Sequence, residues 1–215
     1  MKTITPTPTP TTFFLPADDL RAAFHCISTE QTRYCLGGVL IEADKLVATD
    51  GHQMLTIELP DGCHVGAECF TQGMDAPEGA GFILSCDATD KAFKAKASGS
   101  SDLWVYGDIE TGILQFVINH KEGSKMHRVG VLEFTRIDGT YPGWRRIVAK
   151  GDGGAASLCY DPAVLARLVK AADVIDKGKG VRLTGGRRDG DPIRVDFVAS
   201  PRLRGTLMPI RWTGA

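Results

Sequence analysis

Three times along the chain, a short apolar run leads into a helical pattern and then into three alternating or apolar runs. In the first unit, Phe13-Phe14-Leu15 predicts a strand. Asp18 and Asp19 follow, suited to a first helical turn where negative charge meets the helix dipole. Leu20, Ala23, Phe24 and Ile27 then recur at helical spacing. Strands are predicted over Tyr34–Ile41, Leu46–Thr49 and Met54–Leu59, and Asp50-Gly51 between the last two is a tight-hairpin dipeptide.

The second unit begins with Phe82-Ile83-Leu84. Ser85 or Asp87 is expected to cap a helix running to about Ala97, with Ala88, Ala92, Phe93 and Ala95 inward. Strands follow at Leu103–Tyr106, Ile113–Asn119 and Arg128–Thr135. The third unit begins near Ser157-Leu158-Cys159-Tyr160. Asp161-Pro162 reads as an N-cap with proline at the first helical position, and Val164, Leu165, Leu168, Val169 and Ala172 form an apolar face. Strands at Val181–Thr184, Ile193–Val198 and Gly205–Trp212 complete it. Strand, helix and three strands, three times over, is a supersecondary repeat of the α+β class. Many α+β chains of this size parse this way, so motifs have to decide what the repeat is.

The stretch 61–80, rich in Gly, Pro and Asp, predicts a surface excursion. Lys150 to Ala156 is a flexible linker by composition. The expected organisation is a Thr/Pro tail over 1–12, a two-unit domain over 13–148, a linker over 149–156 and a half domain over 157–215. The tail predicts an extended, polyproline-like segment with docking as a secondary role, and it lacks a secretory pattern. No run approaches the ~20 apolar residues of a membrane span, so a cytoplasmic location is expected.

Composition changes this picture little. Hydrophobic residues make up 43%, charged residues 24%, and the net charge is −1. A chain that grips DNA through phosphates usually carries a basic surplus, so DNA contact here requires local charge segregation or weak binding. Cys26, Cys35, Cys63, Cys69, Cys86 and Cys159 show no CxxC pair and no metal-ligand spacing with histidine. Free buried thiols are expected, with no metal and no cofactor. An Asp50/His52 acid–base pair is the enzymatic alternative. It lacks a nucleophile, a metal set and a phosphate loop, since Gly178-Lys179-Gly180 and Thr184-Gly185-Gly186 do not have P-loop spacing.

Three motifs occur in order: Val47-Ala48-Thr49-Asp50-Gly51-His52, Tyr141-Pro142-Gly143-Trp144-Arg145-Arg146, and Met208-Pro209-Ile210-Arg211. With Phe14-Leu15-Pro16 and Arg33 through Glu42, they resemble the bacterial sliding clamp, the DNA polymerase III beta subunit. The resemblance covers the middle domain and the last half of the third. Nothing matches the family's first domain or the first half of its third. It implies the sliding-clamp fold, no enzymatic activity, and a groove that captures short linear motifs of polymerases and repair proteins, as in a DNA replication processivity factor.

Carried over by the resemblance, Leu36, Thr49, Gly51, His52 and Met54 form one wall of that groove, and Pro142, Arg146 and Ile147 its floor. Asp161, Val164, Pro192, Arg194, Leu207, Met208, Pro209, Ile210 and Arg211 form the other wall. Gln53 stands where the family has a rim arginine, Val164 where an aromatic gate often sits, and Arg194 replaces a small polar residue. Leu, Met, Pro and Ile in a groove suit the anchors of an extended peptide. Asp50-Gly51-His52 also reads as a plain hairpin turn, and Pro209 as an edge residue.

Helices line the family's ring and touch DNA phosphates without reading sequence. By the same resemblance Arg21, Tyr34, Lys91, Lys94, Arg167 and Lys170 are the expected DNA-binding residues, with Lys96 beside them. Such cations are also ordinary solvated helix faces. An odd number of units leaves one without its mate, so a homo-oligomer is expected, as a ring around DNA or an isologous dimer. The alternative is a stand-alone peptide-binding accessory or decoy that forms no ring.

Overall fold

Alternation along the strands decides which face is covered. In the strand Ile193–Phe197, for instance, Ile193, Val195 and Phe197 are buried while Arg194 and Asp196 are partly exposed. The computed structural model describes residues 3–4, 10–69, 81–96, 102–119, 126–150, 159–176, 180–186, 188 and 190–210. Its elements begin with β1 (Thr3–Ile4), β2 (Thr12–Pro16) and helix α1 (Ala17–Phe24). A 3₁₀ turn over Gln31–Leu36 precedes β3 (Val39–Glu42), β4 (Lys45–Thr49), β5 (Gln53–Glu58) and β6 (His64–Val65). The second unit holds β7 (Gly81–Cys86), α2 (Lys91–Lys94), β8 (Asp102–Asp108), β9 (Ile113–Asn119) and β10 (Met126–Ile137). The third holds α3 (Pro162–Ile175), β11 (Val181–Thr184), β12 (Ile193–Phe197) and β13 (Leu203–Leu207).

The strands hydrogen-bond in the order β11-β12-β13-β5-β4-β3-β7-β10-β9-β8-β2-β6, with β1 on β10. Units one and two exchange their first strands. β2 of the first unit lies antiparallel on β8 of the second, and β7 of the second lies antiparallel on β3 of the first. Long β10 links the two sheets, pairing with β9 through Glu133 and with β7 from Phe134 onward. The third unit attaches differently: β13 runs antiparallel to β5, with Leu203 opposite Ile57 and Leu207 opposite Gln53.

The main core lies between the sheets and the helices. Phe13, Leu15, Leu20, Leu84, Phe116, Leu168 and Ile193 are fully enclosed. Phe93 joins α2 to it, meeting Phe24 and Phe116 edge-to-face at centroid distances of 5.1 and 6.0 Å. Phe13 packs so closely over Gly107 that any β-carbon there would overlap its ring. A smaller core of Leu40, Val47, Met54, Ile83 and Trp144 fills the opposite face of the sheet beneath the segment 141–148.

The second helix departs from expectation. Asp87 accepts from Thr89 N and Oγ1 at 2.8 and 2.6 Å and so closes a turn of its own. Asp90 is the cap, accepting from Ala92 N at 2.6 Å. The helix stops after Lys94 instead of reaching Ala97, because Arg21 of α1 takes the Phe93 carbonyl at 2.6 Å and the Ala95 carbonyl as well. Those contacts hold Ala95 at ψ 145°. Residues 34–36, expected as the start of a strand, lie in the 3₁₀ turn, and the strand begins only beyond Gly37-Gly38. Cys159 and Tyr160 are not in a strand, and the last strand ends at Leu207, before Pro209. Ser157, Leu158 and the linker over 151–156 lie outside the described residues.

The first and third units are pinned by a buried ion pair. Arg202, in the turn before β13, donates twice to the carboxylate of Asp19 on α1, both at 2.6 Å, and once to the Glu58 carbonyl at 3.2 Å. The Asp19 side chain is 1% exposed. Burial pushes its carboxyl up from the ordinary value, and Arg202 only partly offsets that. Arg202→Met is expected to cost about 3 kcal/mol near neutral pH, because it strands a carboxylate without its cation. A folded-state pKa above the unfolded one gives stability that is present at acid pH and lost as pH rises through the folded value. The variant's deficit in urea unfolding should therefore shrink from about pH 7 to about pH 4. A deficit constant across that range would contradict the assignment.

Candidate functional site

The site grows from the β4–β5 hairpin. Thr49 pairs with Met54, leaving residues 50–53 to turn the chain, a longer loop than the two-residue turn the dipeptide suggests. Asp50 closes it: its Oδ1 accepts from His52 N at 2.8 Å and Gln53 N at 2.9 Å. Thr49 Oγ1 donates to the Gln53 carbonyl at 2.5 Å and accepts from Gly51 N at 3.1 Å. Gly51 has φ 92°, in the left-handed region, and a side chain there would also meet the guanidinium of Arg33. Arg33 Nη1 donates to the Asp50 carbonyl at 3.0 Å.

The second oxygen of Asp50 reaches the third unit. Arg167 on α3 donates to it at 2.5 Å, and also to the carbonyls of His25 at 3.1 Å and Ile27 at 2.8 Å. The Gln53 carboxamide, turned to satisfy both its ends, donates to the Val164 carbonyl at 2.8 Å and accepts from Arg167 Nε at 3.1 Å. One arginine thus ties α3 to the hairpin and to the end of α1. Asp50 is 7% exposed and Gln53 1%, so Gln53 is a buried brace and not a residue of the groove rim. Both oxygens of the Asp50 carboxylate thus hold structural hydrogen bonds, Oδ1 within the turn and Oδ2 from Arg167.

The chain beyond β13 continues along the hairpin. Met208 N donates to the His52 carbonyl at 2.9 Å, and Ile210 N to the Cys159 carbonyl at 2.9 Å. On the other side of the sheet, residues 141–149 form a strap. Trp144 Nε1 donates to Glu42 at 3.0 Å, and Arg145 forks onto the same carboxylate at 3.0 and 2.8 Å while lying 4.3 Å over the indole. The Tyr141 hydroxyl donates to the Val47 carbonyl at 3.4 Å, and burial pushes its pKa up. Ala149 N donates to Thr206 Oγ1 at 3.4 Å, which fastens the strap to β13.

The predicted peptide-contacting residues divide by exposure. Gly51, His52, Arg146, Ile147 and Ile210 are exposed, and Pro142, Val164, Met208 and Pro209 are half-buried. Leu36, Thr49, Met54 and Leu207 are at most 7% exposed. Met54 belongs to the small core under Trp144. Asp161 caps α3 through Ala163 N at 2.8 Å, Pro192 is half-buried, and Arg194 pairs with Asp196 at 2.7 Å. Arg211 lies outside the described residues. A groove of about 260 Å³ between α3 and the β11–β12 end is lined by none of these residues.

The predicted DNA-contacting residues divide likewise. Lys91, Lys94 and Lys170 are exposed, as is Lys96. Arg21 is turned inward, its side chain 11% exposed and bonded to Asp18 and the α2 carbonyls. Arg167 is engaged by Asp50. Tyr34 is 60% exposed and stands beside Gly139, at the start of the strap. Burial pushes the thiols of Cys26, Cys63 and Cys86 up to about 12 and that of Cys69 up to about 11, so these stay protonated at neutral pH. Among the described residues no three His, Cys, Asp or Glu side chains cluster as a metal site, and no helix is long and apolar enough to cross a membrane.

Repeated β-α-β-β-β units with exchanged first strands, joined through one continuous sheet, define the DNA-clamp fold. That fold is shared with solved bacterial DNA polymerase III beta sliding clamps. The chain is similar to a sliding clamp (DNA polymerase III subunit beta) from Bartonella birtlesii solved bound to griselimycin. Their identity is 17% and the TM-score 0.55, over 96% of this chain and 69% of that one. A clamp from Pseudomonas aeruginosa matches at 14% identity and TM-score 0.54 over 96% and 68%. One from Bacillus subtilis matches at 16% and 0.53 over 94% and 64%. At these identities the likeness establishes the fold. No family model matches the sequence, and no curated protein matches it.

The Asp50–Arg167 contact is predicted to be a true energetic link between the units. A double-mutant cycle of Asp50→Asn and Arg167→Met in urea unfolding should give a coupling of about 1–3 kcal/mol. Strict additivity would mean that the two side chains act independently.

Proposed function

We propose that this protein is a non-enzymatic, clamp-type scaffold of DNA replication or repair that captures extended linear motifs. The observation that carries this reading is the Met208–His52 backbone bond, which draws the end of β13 alongside the Asp50 hairpin. His52, Met208, Pro209 and Ile210 then share one accessible strip, with Ile210 51% exposed. Pro142, Arg146 and Ile147 on the strap supply the rest, Ile147 being 37% exposed. Apolar side chains in that strip suit leucine and aromatic anchors, and Arg146 suits an acidic residue or a carbonyl of the motif. Partners are polymerases or other proteins bearing such motifs.

Contact with duplex DNA is the weaker part of the proposal and rests on Lys91, Lys94 and Lys170. Arg21 and Arg167 are engaged by other residues of the chain, which leaves these lysines for phosphates. That favours, as the second reading, an accessory that binds motif peptides without encircling DNA.

The test is fluorescence anisotropy with a labelled Gln-Leu-x-Leu-Phe pentapeptide. Binding with Kd on the order of micromolar is expected, weakened about tenfold or more by His52→Ala and by Met208→Ala, each a loss above about 1.4 kcal/mol. No binding at hundreds of micromolar (on the order of −5 kcal/mol) would end the motif-capture reading.

A further inference from the structure

One face of β11, β12 and β13 packs on α3, and the opposite face carries charge. Ile193, Val195 and Phe197 are buried in the main core, and a β-carbon on Gly205 would lie against Val195 and Leu168 of α3. Side chains alternate along a strand, so Arg194, Asp196, Arg204 and Thr206 share the other face. Register adds Arg182 to them. It stands opposite Asp196, Asp196 stands opposite Arg204, and Arg194 stands opposite Thr206. Arginines from three adjacent strands thus surround one aspartate, with direct neighbours about 5 Å apart and diagonal ones about 7–8 Å. The strap ends beside this group, where Ala149 N donates to Thr206 Oγ1.

The single carboxylate does not neutralise the group. Arg194 takes Asp196 at 2.7 Å, with both side chains 30% exposed. Arg182 is exposed and Arg204 half-buried, and among the described residues neither forms an ion pair with a carboxylate. Positive charge therefore stays in excess on this face, although the chain as a whole carries −1. Guanidinium forks match carboxylates through paired hydrogen bonds. Sheet faces that bind single-stranded nucleic acid stack its bases on aromatic rings. The paired positions on this face hold none: they are Arg182, Thr184, Arg194, Asp196, Arg204 and Thr206. The chemistry favours carboxylates over nucleotides.

We infer that this face holds an acidic, extended segment flanking the linear motif of a partner protein. The source of that segment rests on the motif-capture reading. The patch is continuous with the accessible strip, since Arg204 and Thr206 lead along β13 to Met208, whose N–H bonds the His52 carbonyl. An extended chain leaving the strip at Met208 meets Arg194, opposite Thr206, within about two or three residues. Alternate side chains of such a chain lie about 7 Å apart on one side, which matches the diagonal separation of Arg194 and Arg204. Asp196 orients Arg194 without saturating it, because a guanidinium has more donors than one carboxylate takes. A neutral flank gains nothing from this face, and a basic one is repelled.

Fluorescence anisotropy on the full chain tests this with the pentapeptide extended at either end by alternating glutamates, against the same peptides carrying glutamine. One glutamate extension should bind about tenfold tighter than its glutamine control at about 0.05 M salt, and the gain should vanish near about 0.5 M. Arg182→Gln with Arg204→Gln should abolish the gain and leave the plain pentapeptide's affinity unchanged. Arg182→Glu with Arg204→Glu should instead favour a lysine extension, a reversal that misfolding does not produce. Equal binding of glutamate and glutamine peptides, or a glutamate preference that survives charge reversal, would overturn the assignment. So would binding of a single-stranded oligonucleotide that these variants lose, with no glutamate preference, which would give the face to phosphates. Failure of the motif reading shows separately, as a plain pentapeptide that binds nowhere. In that case a glutamate peptide without the motif, at roughly millimolar concentration, should still shift the amide resonances of Arg182, Arg194 and Arg204. Unshifted amides would then overturn the acidic-segment assignment as well.

Discussion

The ladder between β5 and β13 is the constraint on which the rest depends. It makes the third unit an extension of the first unit's sheet. Further links lie beside this ladder, Asp19 to Arg202 near one end and Asp50 and Gln53 to α3 and His52 to Met208 near the other, while Arg167 also ties α3 to the carbonyls of His25 and Ile27. Backbone pairing sets the register, and register decides which side chains face each other. A one-residue slip would turn Leu203, Gly205 and Leu207 out of the core.

Charge in this protein is used mainly for joining. Asp19, Glu42 and Asp50 are nearly enclosed, and each is met by an arginine from a distant part of the chain. Enclosed carboxylates are costly unless paired and hydrogen-bonded, so each pair fixes a single arrangement of the segments it connects. Two of the cations expected to face phosphates, Arg21 and Arg167, are likewise engaged within the chain. The Asp50 hairpin and the strap over 141–149 are each fastened by such an ion pair.

Helix α3 was legible because its signals are local. Asp161 and Pro162 define its start, and its apolar spacing predicts the buried Leu168 and Ala172. β9 and β11 fall where alternation placed them. The length of α2 was not legible, since Arg21, more than seventy residues away in sequence, takes the carbonyls that a further turn would use. Gln53 read as a rim residue for the same reason: nothing near it in sequence announces Val164 or Arg167. Glu42, Trp144 and Arg145 went unremarked as a group because their contacts span about a hundred positions.

The clamp fold was read from the resemblance of motifs in order, while local pattern by itself determined the recurrence of a helix followed by three strands and the turn at Asp50-Gly51. The latter depend on periodicity, capping and turn chemistry, which act over a few residues. Only the tertiary structure decided which arginines meet enclosed carboxylates, and that Met54 and Leu207 are buried while His52 and Ile210 are exposed. Those outcomes depend on strand pairing and burial between segments far apart in the chain, and no local pattern encodes which distant group arrives.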